Sequence, residues 1–218
     1  MIRIDKNSKG TVAMVYAFSI AALAVVFIFW PSWWVRIPVL LFLAWFCRWQ
    51  TLFHSVPERT PVSSDNEVVA VADGRIVICE EVDEDKFLHR RAKMVSIYMD
   101  FWDYHVNYWP VNGTVSFTQY FPGKHALAFK PKASEENEHT CTIVRNAEGK
   151  EVLFKQLAGG FARRIVSYAL IGLKVTGGLQ CGIIKFGSRI DIFLPVDAEV
   201  LVKVGDTVTG SETVIARI

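Results

Sequence analysis

Hydrophobic residues crowd the N-terminal end of the chain and then settle into short alternating runs. Between positions 10 and 35 there is no Asp, Glu, Lys, Arg or His. The run TVAMVYAFSIAALAVVFIFW inside that window supplies the roughly 20 apolar residues a helix needs to cross a bilayer, and predicts a helix over 11–30. A second apolar run, Ile37 to Cys47, is bounded by Arg36 and Arg48. At about half a spanning length it predicts an interfacial or re-entrant segment, or the second arm of a hairpin turned at Pro31-Ser32-Trp33-Trp34. Trp30, Trp33, Trp34 and Trp45 suit the aromatic belt at a headgroup boundary. No small-x-small cleavage pattern follows the first run, so residues 1–50 read as a membrane anchor rather than a removed signal.

The stretch FHSVPERTPVSSDN turns to Pro, Ser and charge, and residues 51–66 read as a linker. Residues 67–218 then form one domain, long enough for a hydrophobic core without disulfides. Its runs VVAVADGRIVI, MVSIYMDFW, GTVSFTQY, HTCTIVRN, RIDIFLP and EVLVKV alternate and are punctuated by Gly, Pro, Asn and Asp, the pattern of antiparallel strands and turns. The fold class expected is mainly β, a barrel-like domain with one or two short helices, preceded by a transmembrane helix or helical hairpin. LAGGFARRIVSYAL is the best helix candidate in the domain. One internal repeat is visible: Gly172-x-x-Val175-Thr176-Gly177 recurs as Gly205-x-x-Val208-Thr209-Gly210. Such turns between strands resemble the flattened barrels of lipoyl and biotinyl carrier domains, although no lysine stands at a hairpin tip in the form those carriers modify.

Charge refines the picture. Lys and Arg number 24 against 22 Asp and Glu, a net charge of +2 that gives no footprint for nucleic acid. Arg3, Lys6 and Lys9 precede the first apolar run, and Arg48 and Arg59 follow it. Positive charge on both sides favours a hairpin that returns the chain to the cytoplasm, with the domain on the cytoplasmic side of the cell (inner) membrane. Cys47, Cys79, Cys141 and Cys181 show no CxxC spacing, so neither a metal site nor a disulfide framework is expected.

The candidate chemistry lies in Lys185-Phe186-Gly187-Ser188-Arg189. Glycine permits backbone conformations closed to other residues, and a following serine hydroxyl can reach the preceding carbonyl. Attack of Ser188 Oγ on the Gly187 carbonyl exchanges an amide for an ester. Elimination across that ester leaves dehydroalanine, and hydrolysis with loss of ammonia leaves a pyruvoyl group. A Gly-Ser pair alone is an ordinary turn; its surroundings give it meaning. Val71-Ala72-Asp73-Gly74, Asp103-Tyr104-His105 with Pro110 and Gly113, Ala133-Ser134-x-x-Asn137-Glu138, Ala162-Arg163-Arg164-Ile165, and Phe186-Gly187-Ser188-Arg189 leading into LPVDAEVLVKVGDTV follow in order. Together they resemble the short, membrane-anchored branch of the phosphatidylserine decarboxylase family.

That resemblance implies a proenzyme cleaved into 1–187 and 188–218, with a self-generated pyruvoyl cofactor on Ser188 that decarboxylates phosphatidylserine to phosphatidylethanolamine. It makes Ser188 the nucleophile, Gly187 the cleaved position and Asp73 the acidic member of a self-cleavage triad. His105 becomes either the base that activates Ser188 or the acid that handles protons during decarboxylation. Arg163 and Arg164 are candidates for the lipid phosphate. The partners implied are the phospholipid, the membrane and the chain's own two fragments, with no nucleic acid and with homo-oligomerisation left open. Three positions depart from the family pattern: Tyr108 stands where some members have a second histidine, His139 where Arg is usual, and Gly160 where a larger apolar residue is usual. Two other readings are an enzyme for another serine-headed lipid of archaetidylserine type, and a non-catalytic membrane-anchored β-barrel adaptor.

Overall fold

The computed structural model describes residues 2–61, 65–124, 137–159, 164–185 and 188–218. Of the residues singled out above, Ala133, Ser134, Gly160, Ala162, Arg163, Phe186 and Gly187 lie outside them. The chain divides into two compact units, Met1–Pro57 and Glu58–Ile218.

In the first unit, a two-residue strand β1 (Arg3–Ile4) leads into α1 (Lys9–Phe29), α2 (Trp33–Phe53) and β2 (Ser55–Val56), which pairs back on β1 antiparallel. The carboxylate of Asp5 accepts the Asn7 N–H at 2.9 Å and the Ser8 hydroxyl at 3.3 Å, shaping the entry to α1. α1 has 21 residues. At 1.5 Å per residue that is about 30 Å, the thickness of a hydrocarbon core. Among the described residues it is the helix long and apolar enough to cross a membrane. The second helix runs well beyond the 37–47 stretch because Trp, Gln and Thr extend the pattern on both sides, and it accommodates Pro38 in its early turns. The helices are antiparallel: Tyr16 Oη lies 3.1 Å from Thr51 Oγ1, Cys47 Sγ donates to Ser19 Oγ at 3.3 Å, and Arg36 donates to the Phe27 carbonyl at 2.7 Å.

The second unit holds β3 (Glu67–Val69), β4 (Gly74–Glu84), β5 (Arg90–Met99), β6 (Val106–Tyr108), β7 (Gly113–Phe121), β8 (His139–Arg145), β9 (Glu151–Ala158), β10 (Arg164–Ser167), β11 (Lys174–Val175), β12 (Gln180–Lys185), β13 (Ser188–Leu194), β14 (Glu199–Val200), β15 (Thr207–Val208) and β16 (Val214–Arg217). Among the described residues these form an antiparallel sheet in the order β11-β7-β8-β9-β13-β5-β4-β15 and two smaller sheets, β10-β12-β6 and β14-β16-β3. The main core, with Val68, Ile97, Met99, Phe154, Ile184, Ile190, Ile192 and Ile215, combines residues of the large sheet with residues of the smaller ones. A second cluster, with Met94, Cys141, Ile143, Leu153 and Phe193, covers the other face. Central β13 is buried at all seven positions, so its alternation sends Ser188, Ile190 and Ile192 to the main core and Arg189, Asp191 and Phe193 to the opposite face.

Among the described residues of LAGGFARRIVSYAL the expected helix is not found. Leu157 and Ala158 close β9, and Arg164–Ser167 form β10 against β12. No described residue of the second unit is helical. Pairing partners decided the outcome, since β9 lies between β8 and β13 and completes the sheet.

The internal repeat is built into the fold as two matching arms at opposite edges of the large sheet. In one, Gly205 N–H donates to the Ile76 carbonyl at 2.9 Å and Ile76 N–H returns a bond to Asp206. In the other, Gly172 N–H donates to the Val115 carbonyl at 2.8 Å and Val115 N–H returns one to Leu173. β15 then pairs with Gly74 and Arg75, and β11 with Gly113 and Thr114. Ser211 N–H reaches the Ala70 carbonyl, as Gly178 N–H reaches that of Trp109. Both residues take positive φ, 72° and 78°.

Candidate active site

Ser188 is fully buried at the start of β13, between Met99 of β5 and Ala158 of β9. Among the described residues its Oγ has no hydrogen-bond partner. A buried hydroxyl in that state carries a desolvation cost that a purely structural serine avoids. The same sheet face carries a buried polar chain: Thr140 Oγ1 donates to Gln156 Oε1 at 2.8 Å, Gln156 Nε2 donates to Asn107 Oδ1 at 2.8 Å, and Asn107 Nδ2 approaches Met99 Sδ at 3.9 Å. Asn137 Nδ2 donates to the Ala158 carbonyl at 2.7 Å, fixing the residue beside Ser188. Asn107, Thr140 and Gln156 were not singled out from the sequence. Each sits in an apolar strand run where a polar residue reads as outward-facing, and cross-strand pairing turns it inward.

Asp73 precedes β4, and Gly74 follows with φ 149°. A Cβ at position 74 would meet the Tyr98 carbonyl oxygen within 2.2 Å, so glycine is required there. β4 and β13 flank β5, and Gly74 and Ser188 both lie beside Met99, about 10 Å apart at two strand spacings. Asp73 Oδ2 takes Arg59 Nη2 at 2.6 Å, and Oδ1 takes the Gly210 N–H at 2.7 Å. Burial raises the Asp73 pKa above the ordinary carboxylate value, against the pull of Arg59 and the Gly210 N–H.

His105 is fully buried just before β6, and its carbonyl accepts the Ile184 N–H of β12 at 3.1 Å, which ties it to the strand leading into 186–188. Its Nδ1 lies 2.9 Å from the Asp103 carbonyl, an acceptor, so Nδ1 carries a proton and donates it there. The Asp103 carboxyl is pushed up, first by burial, with the charges of Asp100 and Asp73 adding to it. No described hydrogen bond joins Asp73 to His105.

Tyr108 lies buried on the Asp73 side, close to Arg59. Burial first, and then the Asp73 charge, push its pKa far up, which keeps it a protonated O–H. Arg189 faces away from Ser188 and is a structural ion: fully buried, it donates through Nε at 2.7 Å and Nη2 at 2.9 Å to Asp191, which also accepts from Ser96. Arg164 is solvent-exposed opposite Lys185, three residues before Ser188. Arg163 and Gly187 lie outside the described residues.

Comparison with known proteins gives this geometry its family. The sequence profile of phosphatidylserine decarboxylase matches residues 46–216. A phosphatidylserine decarboxylase proenzyme of Cytophaga hutchinsonii is 44% identical over 165 residues, 76% of this chain and 75% of the relative. One from Parabacteroides distasonis is 45% identical over 166 residues, 76% of each chain. A third, from Amoebophilus asiaticus, is 39% identical over 170 residues, covering 78% and 76%. The match embraces Asp73, His105 and Ser188 together with the strands that hold them, and on that footing the chain belongs to the phosphatidylserine decarboxylase family.

Proposed function

We propose that the chain is a proenzyme that cuts itself between Gly187 and Ser188 and then decarboxylates phosphatidylserine to phosphatidylethanolamine. The observation that carries this reading is the buried, unpartnered Oγ of Ser188 at the mouth of a strand held on both sides. That oxygen is the nucleophile self-cleavage needs, and the residues beside it, Met99 and Ala158 in register and the Asn107-Gln156 amide pair, are buried, as a pyruvoyl group left there would require.

In the cleavage, Ser188 Oγ bonds to the Gly187 carbonyl carbon while its proton passes to a base, and the released nitrogen takes up a proton. His105 Nε2 is that base, or the later donor to the substrate carbon; Asp73 would supply negative charge to the cleavage site. Ester elimination leaves the Gly187 carboxylate, and water completes the loss of ammonia. Once formed, a pyruvoyl carbonyl supplies the electron sink that decarboxylation of an amino acid requires. Arg163 and Arg164 would meet the lipid phosphate, and replacing both with Gln should raise KM on anionic vesicles. α1 would hold the domain at the inner membrane with its site on the cytoplasmic side, and the product is a heterodimer of 1–187 and 188–218.

The test is an intact mass of every species in detergent-purified protein. A fragment starting at 188, lighter by one ammonia than the free-serine peptide, and its loss in Ser188→Ala, support the reading. A chain that stays whole on prolonged incubation with anionic lipid overturns it.

A further inference from the structure

The two arms of the internal repeat offer a control for Asp73 within the molecule itself. Gly210 N–H donates to Asp73 Oδ1 at 2.7 Å, and at the matching place Gly177 N–H donates to Asn112 Oδ1 at 2.8 Å. A neutral amide oxygen therefore holds the turn as well as a carboxylate does, and the fold does not require a charge at position 73. The charge is nonetheless placed there, in a side chain of 12% exposure, where an anion is costly unless it is compensated. Arg59 provides the compensation. Its Nη2 sits 2.6 Å from Asp73 Oδ2, and its Nη1 sits 3.3 Å from Glu212 Oε2. The other Glu212 oxygen accepts the Thr60 N–H at 3.2 Å. In the second arm the place of Glu212 is taken by Leu179, each following its turn with a bond back to Thr209 or Thr176. One arm thus carries Arg59, Asp73 and Glu212 where the other has Asn112, with Asp65 on its amide, and a leucine.

We propose that Arg59 is a positioning residue for self-cleavage that acts through Asp73, with Glu212 holding Arg59 in turn. This rests on the reading of Asp73 as the acidic group of the cleavage. The groups facing Asp73 are Arg59, Glu212, Tyr108, Asp103 and the Gly210 N–H. Of these, only Arg59 carries positive charge. Burial and Glu212 favour the protonated carboxyl, while Arg59 and the Gly210 N–H favour the ionised one. Removing Arg59 therefore shifts protonation of Asp73 to higher pH, and cleavage that depends on the carboxylate fails at a higher pH than in the natural chain.

The experiment follows the appearance of the 188–218 fragment by mass after synthesis of the full chain into detergent micelles, from acid to neutral pH. Arg59→Gln is expected to slow cleavage about tenfold at neutral pH, with the acid limb of the profile moved upward. Arg59→Lys is expected to restore much of that limb, and Glu212→Gln to move it less. Wild-type kinetics and an unmoved limb in Arg59→Gln overturn the proposal. Equal slowing at every pH, with no gain from Lys, assigns Arg59 a scaffolding role and also overturns it. Melting curves in a Ser188→Ala background separate misfolding from slowed chemistry, and if the Gln variant does not fold, the limb of the Lys variant decides. A natural chain that never yields the fragment strikes instead at the underlying reading of Gly187-Ser188.

Discussion

The two edge arms of the large sheet share a backbone design and differ in their side chains. Residues 69–76 with 205–212, and 108–115 with 172–179, make the same turn bonds and bring a two-residue strand to each edge. The second arm shows what the fold alone asks for: an acceptor oxygen at Asn112, closed off by Asp65, which takes the Asn112 amide at 2.8 Å. The first arm departs from that minimum at every charged position, and those departures lie two strands from Ser188. Structure is repeated, and chemistry is added to one copy.

The largest effect expected comes from making the arms alike. Asp73→Asn should keep the Gly210 bond and the fold, while self-cleavage falls about a hundredfold or more. Fragment mass and a thermal melt of the same preparation check both halves, and a melt as damaged as the chemistry would deny that the charge is functional.

The reciprocal change, Asn112→Asp, sets a second carboxylate against Asp65. Equilibrium denaturation should show a loss of about 1–3 kcal/mol at neutral pH, recovering on acidification as one carboxyl takes a proton. Gly210→Ala is expected next, at about 1–3 kcal/mol from overpacking, because its Cβ would lie 2.7 Å from the Tyr108 ring. Gly177→Ala should cost less, since its nearest neighbour is the Val111 backbone at 3.2 Å. Smallest is Leu179→Glu, which copies Glu212 onto the arm that has no Arg59. At 52% exposure it should change stability by no more than about 0.5 kcal/mol, measured in the same denaturant series.

Much of this was legible in the chain. The uncharged window predicted α1 because a bilayer-length run has few other uses. The Gly-x-x-Val-Thr-Gly repeat foretold the two arms because both need glycine at a turn of positive φ, which Gly172 and Gly205 supply. Ser188, Asp73 and His105 were singled out through family motifs. Arg59 was not, because it lies in a Pro- and Ser-rich stretch that reads as linker, and a partner 14 positions away becomes visible only when the chain folds back. Asn107 and Gln156 were hidden for a related reason: strand alternation separates two faces without saying which of them a second layer will cover. The helix expected at 157–170 failed because alanine, leucine and arginine favour helices locally, while strand partners claim its described parts: Leu157 and Ala158 in β9 between β8 and β13, and Arg164–Ser167 in β10 against β12.

The central position of β13 has a last consequence for the cut protein. Its residues are bonded on one side to β5 and on the other to β9, and the same C-terminal segment supplies β15 to the edge of that sheet and β14 and β16 to a smaller one. A break before Ser188 would therefore release no loose tail. It would convert the folded chain into a reconstituted split protein, in which separating the two pieces means dismantling two sheets at once. The short piece should stay for as long as the domain remains folded, with its residence time governed by global unfolding and not by the affinity of an ordinary peptide for a groove.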